Sequence, residues 1–312
     1  MISMVIGGAG FIGSHLCRSL LANGDEVHCV DDFSLGKKEN ITGIMQNEDF
    51  YLHKIDASNR NELLSVFKEA KPEQVFHLAA NSDIQASAKN PEVEYMRTYT
   101  TTYQVLSCMR ECGVKKLFFA STSAVYGDKR DVVLNEMTPN LEPISYYGAA
   151  KLGSEALISA FSYMNDMHSL IFRFPNVIGP HLTHGVIYDF VRRLRDNPQE
   201  LTILGDGKQT KPYIYVSDLV EAIIRFRNVP QGVTLYNLGV EGATQVTRIA
   251  EIIVEEMGLK DVRFKYTGGE GGWKGDVPKF QYDLSKIHKA GWYAKLDSDE
   301  AVRRTVREYL KG

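Results

Sequence analysis

The glycine-rich turn GGAGFIG at residues 7–13 constrains the fold more than any other feature of the sequence. It follows a short apolar run at residues 2–6 and precedes an amphipathic stretch that ends near Gly24. This order predicts a β-strand, a tight turn at glycine and an α-helix. Short apolar runs and longer helical stretches then alternate as far as Phe174. Continuous apolar strands separated by helices indicate an α/β fold with a doubly wound parallel sheet.

The alternation becomes less regular after Pro180. We therefore predict a Rossmann domain at residues 1–176, to which residues 212–240 return. Residues 177–312 are predicted to form a smaller C-terminal α/β region that binds the substrate. No Pro/Ser-rich linker separates the two parts.

Charge and composition exclude several classes of protein. The 312 residues include 36 Lys and Arg against 39 Asp and Glu, a balance that does not favour a nucleic-acid partner. No apolar run approaches the roughly 20 residues that span a bilayer, and the N-terminal segment lacks the basic region of a secretory signal. The four cysteines do not have the spacing of zinc ligands. We expect a cytoplasmic protein without a metal or a membrane partner.

The glycine turn also has the pattern of a dinucleotide site. Gly7, Gly10 and Gly13 would let the backbone approach a pyrophosphate at the positive end of a helix. Asp31, at the end of the second predicted strand, can accept hydrogen bonds from ribose hydroxyls and would repel a 2′-phosphate. Capping of a local loop is the alternative role for Asp31. Asp56 follows the third strand and could reach the adenine. Because Asp31 would repel the 2′-phosphate, the pattern predicts NAD rather than NADP.

Tyr147 and Lys151 lie four residues apart in a predicted helix and therefore share one face. A nearby ammonium group stabilises a phenolate, so this pair is typical of a tyrosine that acts as a general base near neutral pH. The strand-end segment FFASTSAVYG would lie beside it, because the carboxyl ends of parallel strands face the cofactor. Thr122 is the best candidate there to bind the reacting oxygen, with Ser121 and Ser123 as competitors.

Six segments occur in a characteristic order: GGAGFIG, VDDFS, HLAA, STSAVYG, YGAAK and RFPNVIGP. In this the chain resembles the extended short-chain dehydrogenase/reductases, and most of all their nucleotide-sugar epimerase/dehydratase branch, typified by the UDP-glucose 4-epimerases. The segments GDGKQTKPYIYVSD and GGWKGDVP match later motifs, so the resemblance extends over nearly the whole chain. It implies an NAD-dependent enzyme that acts on a nucleotide-diphosphate sugar.

The resemblance implies a role for each matching residue. Tyr147 would be the base, Lys151 would orient the nicotinamide ribose and lower the pKa of the tyrosine, and Thr122 would complete the triad. The implied cofactor-binding residues are Gly7, Gly10, Phe11, Ile12, Gly13, Asp31, Asp32, Asp56, Ala57, Leu78, Ala79, Ala80, Tyr147, Lys151 and Pro175. The implied substrate-binding residues are Thr122, Ser123, Asn176, Lys211 and Asp276, of which Asn176 and Lys211 would contact the diphosphate and Asp276 the nucleotide ribose.

Three positions depart from the family pattern. Thr98 stands where relatives have an asparagine, and Lys211 stands where they commonly have a phosphate-binding arginine. A lysine is a point charge and cannot bind phosphate through two parallel hydrogen bonds. Gly271 stands where a second arginine is frequent. We expect these departures to affect substrate affinity rather than hydride transfer.

The residues after Thr122 bear on the reaction. Sugar-nucleotide 4,6-dehydratases have an Asp-Glu pair there and UDP-glucuronate decarboxylases keep a glutamate, whereas this chain has Ser123 and Ala124. The prediction is therefore 4-epimerisation through a transient 4-keto sugar. A 4-dehydrogenase that releases the ketose remains the alternative, because it needs the same triad.

A non-catalytic NAD-binding module is a third possibility, against which the presence of both Tyr147 and Lys151 counts. The resemblance also implies a homodimer formed through the two long helices predicted at residues 93–112 and 147–163.

Overall fold

The computed structural model of the protein describes residues 1–81, 87–269 and 275–311. The strands are β1 (Ile2–Ile6), β2 (Glu26–Val30), β3 (Phe50–His53), β4 (Gln74–His77), β5 (Lys116–Thr122), β6 (Val133–Leu134), β7 (His168–Phe174), β8 (Asn176–Ile178), β9 (Glu200–Ile203), β10 (Thr210–Lys211), β11 (Tyr213–Tyr215), β12 (Gly232–Asn237), β13 (Thr244–Gln245), β14 (Arg263–Tyr266) and β15 (Gln281–Tyr282). The α-helices are α1 (Phe11–Ala22), α2 (Arg60–Ala70), α3 (Glu92–Glu94), α4 (Thr101–Cys112), α5 (Tyr146–Met164), α6 (Val186–Asp196), α7 (Val216–Phe226), α8 (Val246–Glu256), α9 (Ser285–Lys289) and α10 (Ser298–Lys311). A π-helix spans Tyr95–Thr100, between α3 and α4.

The central element is a seven-stranded sheet in the order β12-β7-β5-β4-β1-β2-β3, as far as the described residues show. β1 pairs in parallel with β2 on one side and with β4 on the other, so the chain changes direction across the sheet at β1. In such a sheet ligands bind outside the carboxyl ends of the strands, at this switch point. The predicted doubly wound α/β fold is confirmed.

Apolar side chains between the sheet and its helices form the core that fixes this edge in place. Helices α2 and α4 pack against each other over one face, and the fully buried members of this cluster include Leu63, Phe67, Val105, Leu106, Met109 and Phe119. Each such side chain contributes about 1.5–3 kcal/mol when it is removed from water. The strand ends are therefore held by a rigid layer.

The chain divides into two compact units. The first comprises Met1–Val125, Ser145–Arg173 and Val220–Tyr236, and the second comprises Tyr126–Ile144, Phe174–Leu219 and Asn237–Gly312. The predicted bounds, 1–176 with a return at 212–240, differ most at residues 126–144. This segment belongs to the second unit because β6 pairs with β15 and the Tyr126 hydroxyl donates to Asn237 Oδ1 at 2.6 Å.

Within the second unit, short parallel pairs replace a large sheet. β8 pairs with β11 and β9 pairs with β14. The carboxylate of Asp218 accepts hydrogen bonds from the backbone N–H groups of Lys295 and Leu296, at 2.8 and 3.3 Å. None of the helices in the described part of the chain is long and apolar enough to cross a membrane.

Candidate active site

The glycine turn after β1 is tightly packed, and its geometry requires glycine. Gly7 has φ +85°, and a Cβ added there would lie 2.8 Å from the backbone nitrogen of Ala79. A Cβ at Gly13 would overlap the carbonyl oxygen of Gly7. Gly10 precedes α1 and has no side chain that could cap it. The first backbone N–H groups of α1 can therefore bind a phosphate, as the dinucleotide pattern predicts.

Asp31 lies directly after β2 and is almost fully buried. Its carboxylate accepts hydrogen bonds from the backbone N–H of Ala9 at 2.9 Å and of Phe33 at 2.8 Å. Burial raises the pKa of Asp31, while the bonds from Phe33 and Ala9 act in the opposite direction. Asp31 therefore does bind a local loop, which was the alternative role that the sequence left open, and it connects the glycine turn to the loop after β2 through hydrogen bonds.

The other predicted cofactor residues in the first unit also follow strand ends. Leu78, Ala79 and Ala80 come directly after β4, and the N–H groups of Leu78 and Ala79 both donate to the Ile6 carbonyl at 2.9 Å. Phe11 and Ile12 begin α1, Asp32 follows Asp31, and the exposed Asp56 and buried Ala57 follow β3. Because the paired strands are parallel, these residues share one edge of the sheet. Pro175 belongs to the second unit.

The Tyr–Lys pair lies on the first turns of α5. Ser145 caps this helix by accepting a hydrogen bond from Gly148 N at 3.1 Å. Thr122, at the end of β5, lies close enough to Tyr147 for its side chain to lower the pKa of the phenol by hydrogen bonding. The Lys151 ammonium is buried, donates to the Ala120 carbonyl at 2.7 Å and lies 5.9 Å from the centre of the Tyr147 ring. The structure therefore brings the three predicted catalytic residues together.

Burial dominates the acid–base properties of the pair. It lowers the pKa of Lys151 to about 7, although the charges of Glu94 and Glu155 raise it. It raises the pKa of Tyr147 well above the usual value, and the charge of Glu94 adds to this effect, whereas the bond to Thr122 lowers that pKa. The sequence predicts a lowered pKa for Tyr147. The protein alone has the opposite direction, because desolvation of a phenolate outweighs the hydrogen bond.

Sequence reasoning missed an ion pair under Lys151. Arg173 on β7 binds both carboxylate oxygens of Glu155, with nitrogen–oxygen distances of 2.6–3.2 Å, and both side chains are buried. Ser121 donates to the same carboxylate. Ser121 is therefore engaged below the site, which leaves Thr122 as the residue that reaches Tyr147. The two charged residues lie eighteen positions apart on different elements, so no local pattern in the sequence indicates the pair.

A second buried acid was also missed. Glu94 accepts hydrogen bonds from Asn81 Nδ2 at 2.8 Å and from the Thr98 hydroxyl at 2.7 Å. Thr98, which departs from the family pattern, is thus the partner of a carboxylate. The spacing of Glu94 and Thr98, one helical turn apart, is the signal in the sequence that could have indicated this contact.

The second unit holds the remaining predicted substrate residues. Lys211 on β10 forms an ion pair with Asp276 at 2.5 Å, and both side chains are largely buried. The structure pairs them with each other, whereas the resemblance gave them separate contacts with phosphate and ribose. Asn176 begins β8, opposite Tyr213 on β11. Ser123 follows β5, in the first unit. Gly271 lies outside the described residues.

Comparisons with known proteins agree with this geometry. The model of the NAD-dependent epimerase/dehydratase family matches residues 3–239. A putative UDP-glucose 4-epimerase of Methanocaldococcus jannaschii is 30% identical over 97% of this chain and 96% of its own length. The crystal structure of a UDP-galactose 4-epimerase is 36% identical, with a TM-score of 0.87 over 100% of this chain and 99% of the other. UDP-glucuronic acid decarboxylase 1 of Arabidopsis thaliana is 32% identical over 98% of this chain and 69% of its length.

The glycine turn yields a first prediction. Gly13→Ala should weaken NAD binding by at least about tenfold, because the added methyl group must displace the Gly7 carbonyl and open the turn. Calorimetric titration of the NAD-free protein measures this affinity, and circular dichroism checks the fold. Gly43→Ala is the matched control, since its Cβ would meet no atom within 4 Å. Equal affinities in both variants would contradict the assignment of the turn.

The ion pair below the site yields a second prediction. Glu155→Gln should lower the free energy of unfolding by about 3–5 kcal/mol, because it leaves the buried charge of Arg173 without its carboxylate. Urea denaturation measures the change. In the control Glu111→Gln, the loss of an exposed partner of Arg60 should cost about 1 kcal/mol or less. Similar losses in the two variants would show that the buried pair has no special role in stability.

Proposed function

The chain belongs to the NAD-dependent epimerase/dehydratase family, and within this family we propose that it is a nucleotide-sugar 4-epimerase acting through a transient 4-keto sugar. The observation that carries the proposal is the placement of Tyr147 beside Thr122, with Lys151 one helical turn further along α5. These groups lie at the carboxyl ends of the parallel strands, where such folds bind their ligands.

NAD is the cofactor of this family, and the residues of the first unit fit it. The turn at Gly7, Gly10 and Gly13 presents the start of α1 to a pyrophosphate, and the Asp31 carboxylate follows β2, where it would meet a ribose. When bound, NAD supplies the hydride acceptor and donor for carbon 4 of the sugar.

The side chains supply binding and proton transfer. Thr122 binds the 4-hydroxyl of the sugar while Tyr147 removes its proton as a general base, and Tyr147 returns that proton when the ketone is reduced. The ammonium of Lys151 binds the nicotinamide ribose and stabilises the phenolate. Burial raises the pKa of Tyr147 in the protein alone, and the positive charge of the oxidised nicotinamide would act in the opposite direction.

Ser123 and Ala124 favour epimerisation over elimination. They form the 3-10 turn after β5, and neither has an acidic group that could assist loss of water or carbon dioxide. The intermediate ketone would then be reduced again from its other face. A 4-dehydrogenase that releases the ketone is the second candidate, because Tyr147, Lys151 and Thr122 serve both reactions equally.

We propose a uridine diphosphate sugar as the substrate. UDP-sugar enzymes among the relatives support this class. In the second unit, Asn176 would donate to the diphosphate and Lys211 would neutralise part of its charge. Asp276, which holds the Lys211 ammonium, would accept hydrogen bonds from the nucleotide ribose.

We also propose a homodimer formed through the π-helix, α4 and α5. Large apolar side chains remain exposed on these elements: Tyr95, Met96, Tyr103, Tyr163 and Met164. These three elements are neighbours, and exposed apolar residues on neighbouring elements, unlike single ones, are typical of association surfaces.

The proposed reaction predicts the outcome of a product analysis. NAD-loaded protein incubated with a panel of UDP-, GDP- and dTDP-sugars should give a product of unchanged mass with inverted carbon 4, while the cofactor stays oxidised. Mass spectrometry and NMR identify the product. Tyr147→Phe should lower kcat/KM by at least about 100-fold, because the proton acceptor is lost. Tyr146→Phe, on the exposed neighbour, should retain the activity.

Other outcomes would replace the proposal with a definite alternative. A product lighter by two hydrogens, with accumulating NADH, would indicate a 4-dehydrogenase. Loss of water or carbon dioxide would contradict the argument from Ser123 and Ala124. Full activity in Tyr147→Phe would refute the role of the base, and NAD binding without any turnover would favour a non-catalytic module.

The dimer is tested separately. Tyr103→Glu combined with Tyr163→Glu should give a monomer in sedimentation velocity, because two charges would be buried at each half of the interface. Tyr293→Glu, on an exposed tyrosine of the second unit, should leave the dimer intact. A wild-type protein that sediments as a monomer would contradict the assignment.

A further inference from the structure

We propose that Glu94 is a positioning residue for the catalytic pair, and that the negative charge of its buried carboxylate favours the cationic form of Lys151 and sets the pH range of turnover. This inference rests on the proposed function, because it concerns the same Tyr147 and Lys151. It assigns a role to an acid that the triad and the cofactor site do not use.

The hydrogen bonds of Glu94 come from neutral groups. The residue is 1% exposed, and its two oxygens accept from the Asn81 amide and the Thr98 hydroxyl. In the described part of the chain, no basic side chain forms a salt bridge with it. Glu155, the other buried acid near Lys151, is neutralised by Arg173 through two parallel bonds. Glu94 is therefore the acid whose charge is left to act on its surroundings.

This difference has an electrostatic consequence. Neutral donors satisfy the hydrogen-bonding capacity of a carboxylate but leave its charge in place, and in a water-poor environment that charge acts over several ångströms. A buried charge is costly to keep unless a group of opposite sign compensates it. Lys151 is the buried cation whose pKa Glu94 raises. Glu94 and Lys151 therefore compensate each other's charge without forming a salt bridge.

The local backbone holds Glu94 against the helix that carries the pair. Glu94 ends α3, and the π-helix that follows packs on α5 so closely that a Cβ at Gly153 would lie 3.0 Å from the Tyr99 ring. The Thr102 hydroxyl donates to the Thr98 carbonyl at 2.8 Å and accepts from Ser154 at 3.2 Å. π-helical turns are frequent at functional sites. These contacts of the π-helix and of Thr102 with α5 fix the position of the Glu94 carboxylate relative to α5.

Among the described residues, Glu94 and Glu155 act on the pKa of Lys151, whose charge in turn acts on His77. The Lys151 ammonium lies 5.9 Å from the centre of the Tyr147 ring, and Glu94 is the charged group that acts on the pKa of Tyr147. His77 is neutral throughout the working range, because burial and then the charge of Lys151 lower its pKa to about 3.

The sign of the effect follows from these neighbours. The charge of Glu94 raises the pKa of Lys151 and also that of Tyr147. Its removal should lower both. The acidic limb of the activity profile requires ionisation of Tyr147 and the alkaline limb requires protonated Lys151, so both limbs should move in the same direction, to lower pH.

The experiment compares the pH profiles of kcat/KM for NAD-loaded wild type and Glu94→Gln. Glutamine has nearly the same shape; its carbonyl can accept from the Asn81 amide and its NH2 group can donate to the Thr98 hydroxyl, so the variant should fold. Both limbs should move down by about one pH unit, which lowers activity on the alkaline limb up to about tenfold and raises it on the acidic limb. Glu94→Asp, which keeps the charge, should restore the wild-type limbs. Glu92→Gln, on the exposed neighbour in α3, should leave them unchanged.

Two results would overturn the inference. A uniform loss of activity in Glu94→Gln with both limbs in place would mean a merely structural role. Limbs that move equally in Glu92→Gln would mean that any lost charge on this element has the same effect.

A second measurement separates this inference from the proposed function. Ultraviolet difference absorbance of the NAD-loaded protein reports the phenolate of Tyr147 as the signal that Tyr147→Phe lacks. That titration should move to lower pH in Glu94→Gln, and it requires no substrate. If wild type converts no nucleotide sugar, the proposed function fails while the titration still tests Glu94. An unmoved titration would refute the role of Glu94 even in an active epimerase.

Discussion

The buried ammonium of Lys151 is the constraint on which the site depends. An ammonium group without water must be compensated by charge and hydrogen bonds, and here the Ala120 carbonyl supplies the direct bond. Around it lie one further buried cation, Arg173, and two buried carboxylates, Glu155 and Glu94. Among the described residues, this interior next to Tyr147 therefore contains as many buried basic side chains as buried carboxylates.

The contacts of these buried charges also join helix α5 to the strands at one edge of the sheet. Glu155 and Arg173 join α5 to β7, and Lys151 joins α5 to β5. Asp31 holds the glycine turn in a similar way, because its carboxylate accepts hydrogen bonds from backbone N–H groups on both sides of β2. Residues that are assigned to ligand binding therefore also hold the backbone, and a site built this way is organised before any ligand arrives.

Local patterns in the sequence were sufficient to predict the fold and to predict that Tyr147, Lys151 and Thr122 lie close together. β1 has the predicted bounds and β2 ends before Asp31 as predicted, because each is a short apolar run closed by glycine or aspartate. Tyr147, Lys151 and Thr122 were predicted from a helical spacing and a strand end. The long helix predicted at residues 93–112 is instead α3, a π-helix and α4. Apolar periodicity does not distinguish π from α geometry, and the turn depends on tertiary packing against α5. The ion pair of Glu155 with Arg173 was missed for the same reason, because these residues come into contact only when β7 lies in the sheet.

An isotope label shows whether hydride leaves carbon 4 of the sugar and returns to the same carbon, as we propose. A UDP-sugar labelled with deuterium at carbon 4 is incubated with the NAD-loaded protein, and the product is examined by NMR. We expect the epimer to carry the deuterium at carbon 4, with none in the solvent or in released NADH. Deuterium in free NADH, or protium at carbon 4 of the epimer, would contradict this proposal.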